Sequence, residues 1–334
     1  MRMLKNILFV VPGKKNDFPQ SMSFVKRLAK GVEELGLRVH NFTVVKSVNP
    51  VCFVQQGRAL MQAVETTEAD LVVGQFGTYT GLLVALFAPR PKIITFRGSD
   101  LNPVPSASAL WNLLAHSASQ FSSLLVDGIV VVSRGLQDRL FFKLRLVKII
   151  PSPTETELFR PRDTAECRKI LGWKYPAASA VFLAGNNALV KGIDLARKVK
   201  TELQRRNSKI LLYIIEHEIP LVEMPIILNA ADCLLFLSEH EGSPNLIRDA
   251  CACNLPIVSV AVGDVVEVLA GVKHSKVVPR KVVDIVNALI EICDQKLRSN
   301  GRINVMQYST QNIASRTVEF YAQVIDDYVN RCKQ

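Results

Sequence analysis

The sequence predicts an α/β fold of two Rossmann-like domains, each a parallel sheet with helices on both faces. Three observations lead there. The 334 residues exceed one comfortable core and suit two domains of ordinary size. Short aliphatic runs alternate with amphipathic stretches in both halves, the order that builds parallel sheets. The alternation breaks once, at Pro151-Ser152-Pro153 and Pro161, where prolines block helix and leave an extended connection.

In the first half, strands are predicted at Asn6–Val11, Arg38–Val45, Leu71–Val73, Lys92–Phe96, Gly128–Val132 and Val147–Ile150. Helices are predicted between them at Ser21–Leu35, Arg58–Thr66, Thr80–Phe87, Ala107–Gln120 and Gly135–Phe142. Beyond the prolines, strands are predicted at Val181–Ala184, Ile210–Ile214, Cys233–Phe236 and Pro256–Val260. The matching helices are Ile193–Arg206, Leu221–Asn229, Asn245–Cys253, Val265–Leu269 and Val282–Gln295, and a long amphipathic helix follows at Gln311–Val329. Aromatics are only 7% of the chain, so the core must be aliphatic, as buried parallel strands require. Ligands of open parallel sheets lie outside the carboxyl ends of the strands. The loops after the strands, facing an expected interdomain cleft, are therefore where chemistry is sought.

Composition narrows the partners. The formal net charge is +11, which suits nucleic acid, anionic lipid or phosphorylated small molecules alike. Basic runs stay short, as at Lys14-Lys15 and Arg205-Arg206, so nucleic acid is not expected. Scattered cations suffice for weak attraction to acidic lipid. The seven cysteines are odd in number and lack zinc or redox spacing, which reads as a reduced, cytosolic protein. The apolar run Ile7–Val11, closed by Pro12-Gly13, is a strand rather than a signal peptide. The longest apolar stretch, Leu71–Ala88, is broken by Gly74-Gln75-Phe76-Gly77 and makes no spanning helix.

The richest loop runs Ser238-Glu239-His240-Glu241-Gly242-Ser243-Pro244-Asn245-Leu246-Ile247-Arg248-Asp249-Ala250. It leaves a strand and enters a helix, with Ser243 a natural N-cap and Pro244 a natural first helical residue. Gly242 permits a tight turn and clears an approach path. The helix amino end, with the N–H groups of Asn245 and Leu246, favours a phosphate. Glu241 and Asp249 can border one pocket and accept hydrogen bonds from hydroxyl groups. By itself the loop fits equally a capped core helix with solvated charges.

The stretch Leu228–Ser259 and its continuation Val262–Leu269 resemble the signature of family 4 glycosyltransferases, nearest the bacterial teichuronic-acid and exopolysaccharide members. Segments Asp70–Gly81, Ile93–Asp100, Val131–Leu136, Ile149–Pro161 and Lys191–Ala196 resemble other motifs of that family, so the resemblance spans essentially the whole chain. It implies the GT-B fold, with residues 1–150 an acceptor-binding domain and 151–310 a nucleotide-sugar-binding domain. Residues 311–334 would be a helix crossing back to the first domain. It implies a cytoplasmic, retaining hexosyltransferase of polysaccharide synthesis, peripheral at the membrane. The substrates would be a nucleotide-diphosphate sugar and a glycan or lipid-linked acceptor. No protein nucleophile is implied, since the departing phosphate helps deprotonate the acceptor.

The resemblance also assigns residues. Glu241 would bind donor-sugar hydroxyls, Asp249 the ribose and Lys191 the diphosphate. The family pattern is Glu-x7-Glu, and Asp249 is one methylene short of it. Asn186-Asn187 stand where an arginine is common, leaving more of the phosphate binding to Lys191 and the helix. Gly13 belongs to the glycine-rich first loop, Pro12–Asn16, and Gly98, Ser99 and Asp100 lie on the acceptor side. Arg97 stands where the family usually has histidine; it cannot shuttle a proton but can steady a carboxylate, or it forms a salt bridge across the cleft. His240 faces either the pocket or solvent. No Asp-x-Asp pair is present, so neither metal nor cofactor is expected, and the first loop lacks Walker and dinucleotide spacing. A sugar-nucleotide epimerase and a non-catalytic binding partner are the alternatives.

Overall fold

The computed structural model describes residues 4–13, 22–103, 107–142, 146–173 and 177–333, with the side chain of Asn186 also outside that set. The expected start at Met1–Met3, the loop 14–16 and the helix start at Ser21 lie outside the described residues. Two compact units are present: Met1–Pro153 joined by Thr310–Gln334, and Thr154–Ser309.

The first unit holds strands β1 (Asn6–Pro12), β2 (Arg38–Val44), β3 (Leu71–Gln75), β4 (Lys92–Phe96), β5 (Gly128–Val131) and β6 (Leu146–Ile149). They pair in the order β2-β1-β3-β4-β5-β6, every pair parallel. Its helices are α1 (Ser23–Glu34), α2 (Pro50–Thr67), α3 (Tyr79–Phe87), α4 (Ala109–Leu124) and α5 (Arg134–Asp138). Ile7 to Val11 are fully buried because β1 is flanked by strands on both sides. Helix α2 begins eight residues before the predicted Arg58. The side chain of Asn49 accepts the Val51 N–H at 2.9 Å, and Pro50 takes the first turn, a start signal earlier than the apolar periodicity suggested.

Two buried charges fasten this sheet. Lys92 donates through Nζ to the carbonyls of Ala85 (2.6 Å) and Ala88 (3.0 Å) at the end of α3, and burial lowers its pKa. The fully buried carboxylate of Asp127 accepts from the Lys92 N–H (3.1 Å), Arg90 Nη1 (3.2 Å) and Arg331 Nη2 (3.3 Å). Arg331 belongs to the long terminal helix of this unit, Thr310–Cys332, which packs on α1. A Cβ at Gly31 of α1 would stand 2.7 Å from Thr310 Cγ2, so glycine permits the close approach.

The second unit holds β7 (Ser179–Leu183), β8 (Leu211–Ile215), β9 (Cys233–Phe236), β10 (Ile257–Ser259) and β11 (Lys276–Val277). Their order is β11-β10-β9-β7-β8, again all parallel. Helices are α6 (Thr164–Leu171), α7 (Ala188–Lys191), α8 (Ile193–Arg205), α9 (Met224–Ala230), α10 (Asn245–Ala252), α11 (Val265–Leu269), α12 (Val282–Gln295) and α13 (Gly301–Val305). The terminal helix of the first unit is α14. Aliphatic layers cover the sheet, one against α9, α10 and α11 and one against α8 and α12. β11, α6, α7 and α13 were not expected; β11, α7 and α13 have too few residues to show a period, and α6 follows directly on the proline-marked connection. Helix α6 is nevertheless well terminated: Asp163 accepts the Glu166 N–H at 2.8 Å, and Gly172 closes it in the left-handed conformation.

Candidate functional site

Strand order reverses between β7 and β9 in the second unit, so their carboxyl ends open a crevice of the kind in which open sheets bind ligands. The loop after β7 descends through a 3-10 turn, Gly185–Asn187, into α7, which ends at Lys191. The loop after β9 carries Leu237 to Pro244 into α10. These two loops are bound together. The Glu239 N–H donates to the Val190 carbonyl at 2.9 Å. Arg280 Nη1 donates to the Leu237 carbonyl at 2.6 Å, and its Nη2 to Glu239 Oε1 at 2.9 Å. Gly192 lies at φ +83°, and a Cβ there would stand 2.4 Å from the Leu237 carbonyl oxygen. Only glycine serves both the backbone turn and the contact.

The result is that Lys191 Nζ reaches Glu241 Oε1 at 2.5 Å, with both side chains partly open to solvent. The ammonium also lies 5.8 Å from the Phe236 ring centroid. Glu241 and Gly242 are pressed by a second glycine: at Gly263, φ +56°, a Cβ would meet the Gly242 oxygen at 3.0 Å.

Helix α10 starts at Asn245, the first residue of the predicted span, but its cap is not the expected Ser243. Pro244 is its cap residue, Asn245 its first helical residue, and no side chain caps it. The Ser243 hydroxyl is instead engaged elsewhere, donating to Asp264 Oδ2 at 2.6 Å and accepting a short bond from Arg248 Nη2. Arg248 also pairs with Asp264 Oδ2 at 2.5 Å, and its guanidinium lies 5.1 Å from the Tyr308 ring centroid. Arg248 is fully buried, and burial raises the Asp264 pKa although Arg248 and the Ser243 bond pull it down. Arg248, Asp264 and Arg280 escaped the sequence reading. The helical position of Arg248 gave no sign that it turns inward, and its carboxylate partner Asp264 comes from a different loop.

Asp249, to which the resemblance gives the ribose, lies in the middle of α10 and is buried, 5% exposed. Leu246 is half-buried and packs on the core beside α10; Asn245 is half-buried as well. His240 is exposed. In the second unit, the buried side-chain polar atoms without a hydrogen-bond partner, among the described residues, are Ser238 Oγ, Asn245 Oδ1, Arg248 Nε and Nη1, and Asp264 Oδ1. All five belong to β9's exit loop, the start of α10 and the loop after β10. Unmet polar groups gathered at the carboxyl end of one sheet are groups that water or a polar ligand would satisfy.

In the first unit the corresponding reversal falls between β1 and β3. Gly13 follows β1 and donates its N–H to the Val44 carbonyl at 3.0 Å. After β4, Asp100 is buried and its carboxylate accepts from the backbone N–H groups of Gly77 (3.0 Å), Arg97 (3.0 Å) and Gly98 (2.8 Å). It ties the loops after β3 and β4 together; burial raises its pKa and the three amides oppose that. Ser99 beside it is exposed.

Arg97 makes no salt bridge among the described residues. Its Nε and Nη2 donate to Gln75 Oε1 at 3.0 and 2.6 Å, and Nη1 donates to Ser152 Oγ at 3.0 Å. The Phe24 ring centroid is 4.3 Å from its Cζ. The guanidinium is held by neutral groups of its own unit rather than by a carboxylate, and burial lowers its pKa to about 10. Of the residues assigned to catalysis, the structure thus brings Lys191 and Glu241 together and places Arg97 in the other unit. Among the described residues no cluster of three His, Cys, Asp or Glu side chains could hold a metal ion, and no helix is long and apolar enough to cross a membrane.

Known proteins carry the same architecture. Residues 183–295, which contain the Lys191–Glu241 pair and α10, match the family described as Glycosyl transferases group 1. The sucrose-phosphate synthase of Thermosynechococcus elongatus superposes with a TM-score of 0.78 at 16% identity, covering 97% of this chain and 100% of that one. Anabaena Alr3699/HepE in complex with UDP-glucose superposes with a TM-score of 0.69 at 16% identity, covering 95% and 99%. The fold is that of the GT-B glycosyltransferases. Among curated proteins, the phosphatidylinositol N-acetylglucosaminyltransferase GPI3 subunit of Saccharomyces cerevisiae is 24% identical over 244 residues, 61% of this chain and 52% of that protein. The chain spans about half the length of that relative.

Proposed function

We propose that this chain is a retaining, metal-independent hexosyltransferase. It moves a sugar from a nucleotide-diphosphate sugar to a glycan or lipid-linked acceptor of cell-surface polysaccharide, in the cytoplasm and peripheral to the membrane. The observation that carries the reading is the Lys191–Glu241 pair at the β7/β9 reversal, next to the amino end of α10 and inside the segment that matches glycosyl transferases group 1. That UDP-glucose is bound by HepE, a protein of the same fold, supports a nucleotide-sugar donor.

In this reading the diphosphate docks against the start of α10 and exchanges Glu241 for itself as the partner of Lys191. Glu241, released, accepts hydrogen bonds from hydroxyls of the donor sugar. The acceptor hydroxyl attacks the anomeric carbon on the face the phosphate leaves, the bond from that carbon to the phosphate oxygen breaks, and the hydroxyl proton passes to the departing phosphate. Lys191 stabilises the negative charge that grows there. Acceptor binding is assigned to the first unit. Incubation with UDP-, GDP- and dTDP-sugars, with thermal shift and product analysis, tests the proposal. Stabilisation by at least one of them together with sugar transfer is the expected result, and an epimer formed without acceptor would refute it.

A second reading, donor binding without transfer, draws on Asp249, which is both shorter than the family's glutamate and buried. Stabilisation by a nucleotide sugar with no product in any acceptor mixture would favour it.

A further inference from the structure

Helix α4 is inside out. Its buried side chains are Ser119, Gln120, Ser122 and Ser123, while Leu110, Trp111, Leu113, Leu114 and Phe121 are exposed, Leu110 by 66% and Leu113 by 62%. The helix carries no Asp, Glu, Lys or Arg. The polar inner face is mostly satisfied locally, with Ser122 and Ser123 bonded to carbonyls of their own helix and the Ser119 hydroxyl left without a partner among the described residues. Gln120 Nε2 donates to the Arg139 carbonyl at 2.8 Å and its Oε1 accepts the Phe141 N–H at 3.0 Å, which locks α4 to a segment whose Phe141 is itself 71% exposed. Among the described residues, nothing packed on the helix covers its outer face. Apolar surface of this extent is retained in water only where it meets something.

Beside this helix lies a cavity of about 600 Å³, the size of a small-molecule site. Its walls come from the loop after β2, the start of α3, the loop after β4 and α4, all within the first unit. Tyr79, Leu82, Leu101, Trp111, Leu113 and Leu114 give it an apolar interior. The charged residues among its walls are Lys46, Arg139 and Asp100, and the Asp100 carboxylate is already bonded to three backbone amides. Lys46 and Arg139 make no ion pair among the described residues. A flat lipid surface covers an apolar face but does not fill a cavity; a single hydrocarbon chain does. Two unmatched cations beside an apolar interior select a negative head over a neutral one.

We infer that this cavity takes one molecule of an anionic amphiphile, its chain against α4 and its head answered by Lys46 and Arg139. In the transfer proposed above this molecule is the acceptor; that role rests on that reading, whereas the binding does not.

The chain has two tryptophans, Trp111 in the cavity wall and Trp173, which stacks on Tyr213 in the second unit. In a Trp173→Phe variant, Trp111 reports alone. Octyl phosphate, kept below its micelle concentration, should move its emission to the blue in a saturable manner. Inorganic phosphate should not, and 1-octanol should bind more weakly. Lys46→Ala with Arg139→Ala should weaken octyl phosphate about tenfold and leave octanol unchanged, as loss of a charge-assisted contact predicts. Leu114→Asp should abolish both. Calorimetry on the unmodified protein repeats the titration without relying on any variant's folding. The inference is overturned by no saturable binding, by inorganic phosphate reproducing the signal, by equal losses for both head types, or by a response to phosphatidylglycerol vesicles alone. Nucleotide-sugar binding is read separately by calorimetry on the unmodified protein. A donor that binds while octyl phosphate does not overturns only the cavity, and the reverse overturns only the donor site.

Discussion

Lys191 and Glu241, fifty residues apart in sequence, meet at 2.5 Å because Gly192 lets one loop lie against the other at the carboxyl edge of the second sheet. The contact is partly open to water, so it contributes little to stability, under about 1 kcal/mol. A ligand can therefore separate the two charges at small cost.

Lys191→Ala should leave the thermal midpoint nearly unchanged. It should weaken binding of the preferred nucleotide sugar by about ten- to a hundredfold, the equivalent of one charge-assisted bond of about 1.5–3 kcal/mol. Calorimetric titration checks this. The swapped variant Lys191→Glu with Glu241→Lys can rebuild the ion pair, yet should not recover binding, because the cation then sits on the wrong loop. Recovery by the swap would mean the pair is structural only.

Gly192→Ala should be damaging out of proportion to its one methyl group. The left-handed backbone costs a non-glycine residue about 1–3 kcal/mol, and the added carbon would press on the Leu237 carbonyl. A fall in thermal midpoint accompanied by weaker donor binding is expected. Gly172→Ala, also left-handed but with open space around it, should lose stability without losing donor affinity.

Arg248→Met should destabilise the protein by about 3 kcal/mol, since it leaves the half-buried Asp264 carboxylate without its fully buried cation. Adding Asp264→Asn to that variant should return part of the loss, because the stranded charge is then gone. Denaturant titration of the two variants, with donor affinity measured on whichever folds, separates the cost to the fold from the loosening of the Glu241–Ser243 loop.

Asp100 makes a pH-dependent contribution whose sign follows from burial. Its carboxyl is held above the ordinary 3.8, so the folded protein binds that proton more tightly than the unfolded chain does. Stability from this group is fully present below the ordinary value and is lost as pH rises through the raised one. Asp100→Asn removes the titration. The thermal midpoint of the wild type should therefore improve relative to the variant as pH is lowered from 7 toward about 4, and a difference that stays flat or shrinks would contradict the assignment.

Much of this molecule was legible without coordinates. Buried parallel strands need unbroken aliphatic runs, so Ile7–Val11 and Cys233–Phe236 announced themselves, and the prolines at 151 and 153 marked the division between units. Lys191, Glu241 and Gly242 were singled out by a resemblance to a family motif, and the structure sets Lys191, at the end of α7, against Glu241. Short elements such as α7 and β11 were not legible, having too few residues to display a period.

Tertiary structure alone decided the rest, because packing and the partners brought in from other loops settle which contacts a side chain makes. Ser243 has the chemistry of a helix cap, yet Arg248 and Asp264 claim its hydroxyl. Arg97 has the charge to bind a carboxylate, yet Gln75 and Ser152 hold it. Helix α4 has an apolar face that periodicity would assign to the core, yet the fold buries its serines and presents its leucines to solvent. A sequence states what a side chain can bond to; only the folded chain determines which partner reaches it first.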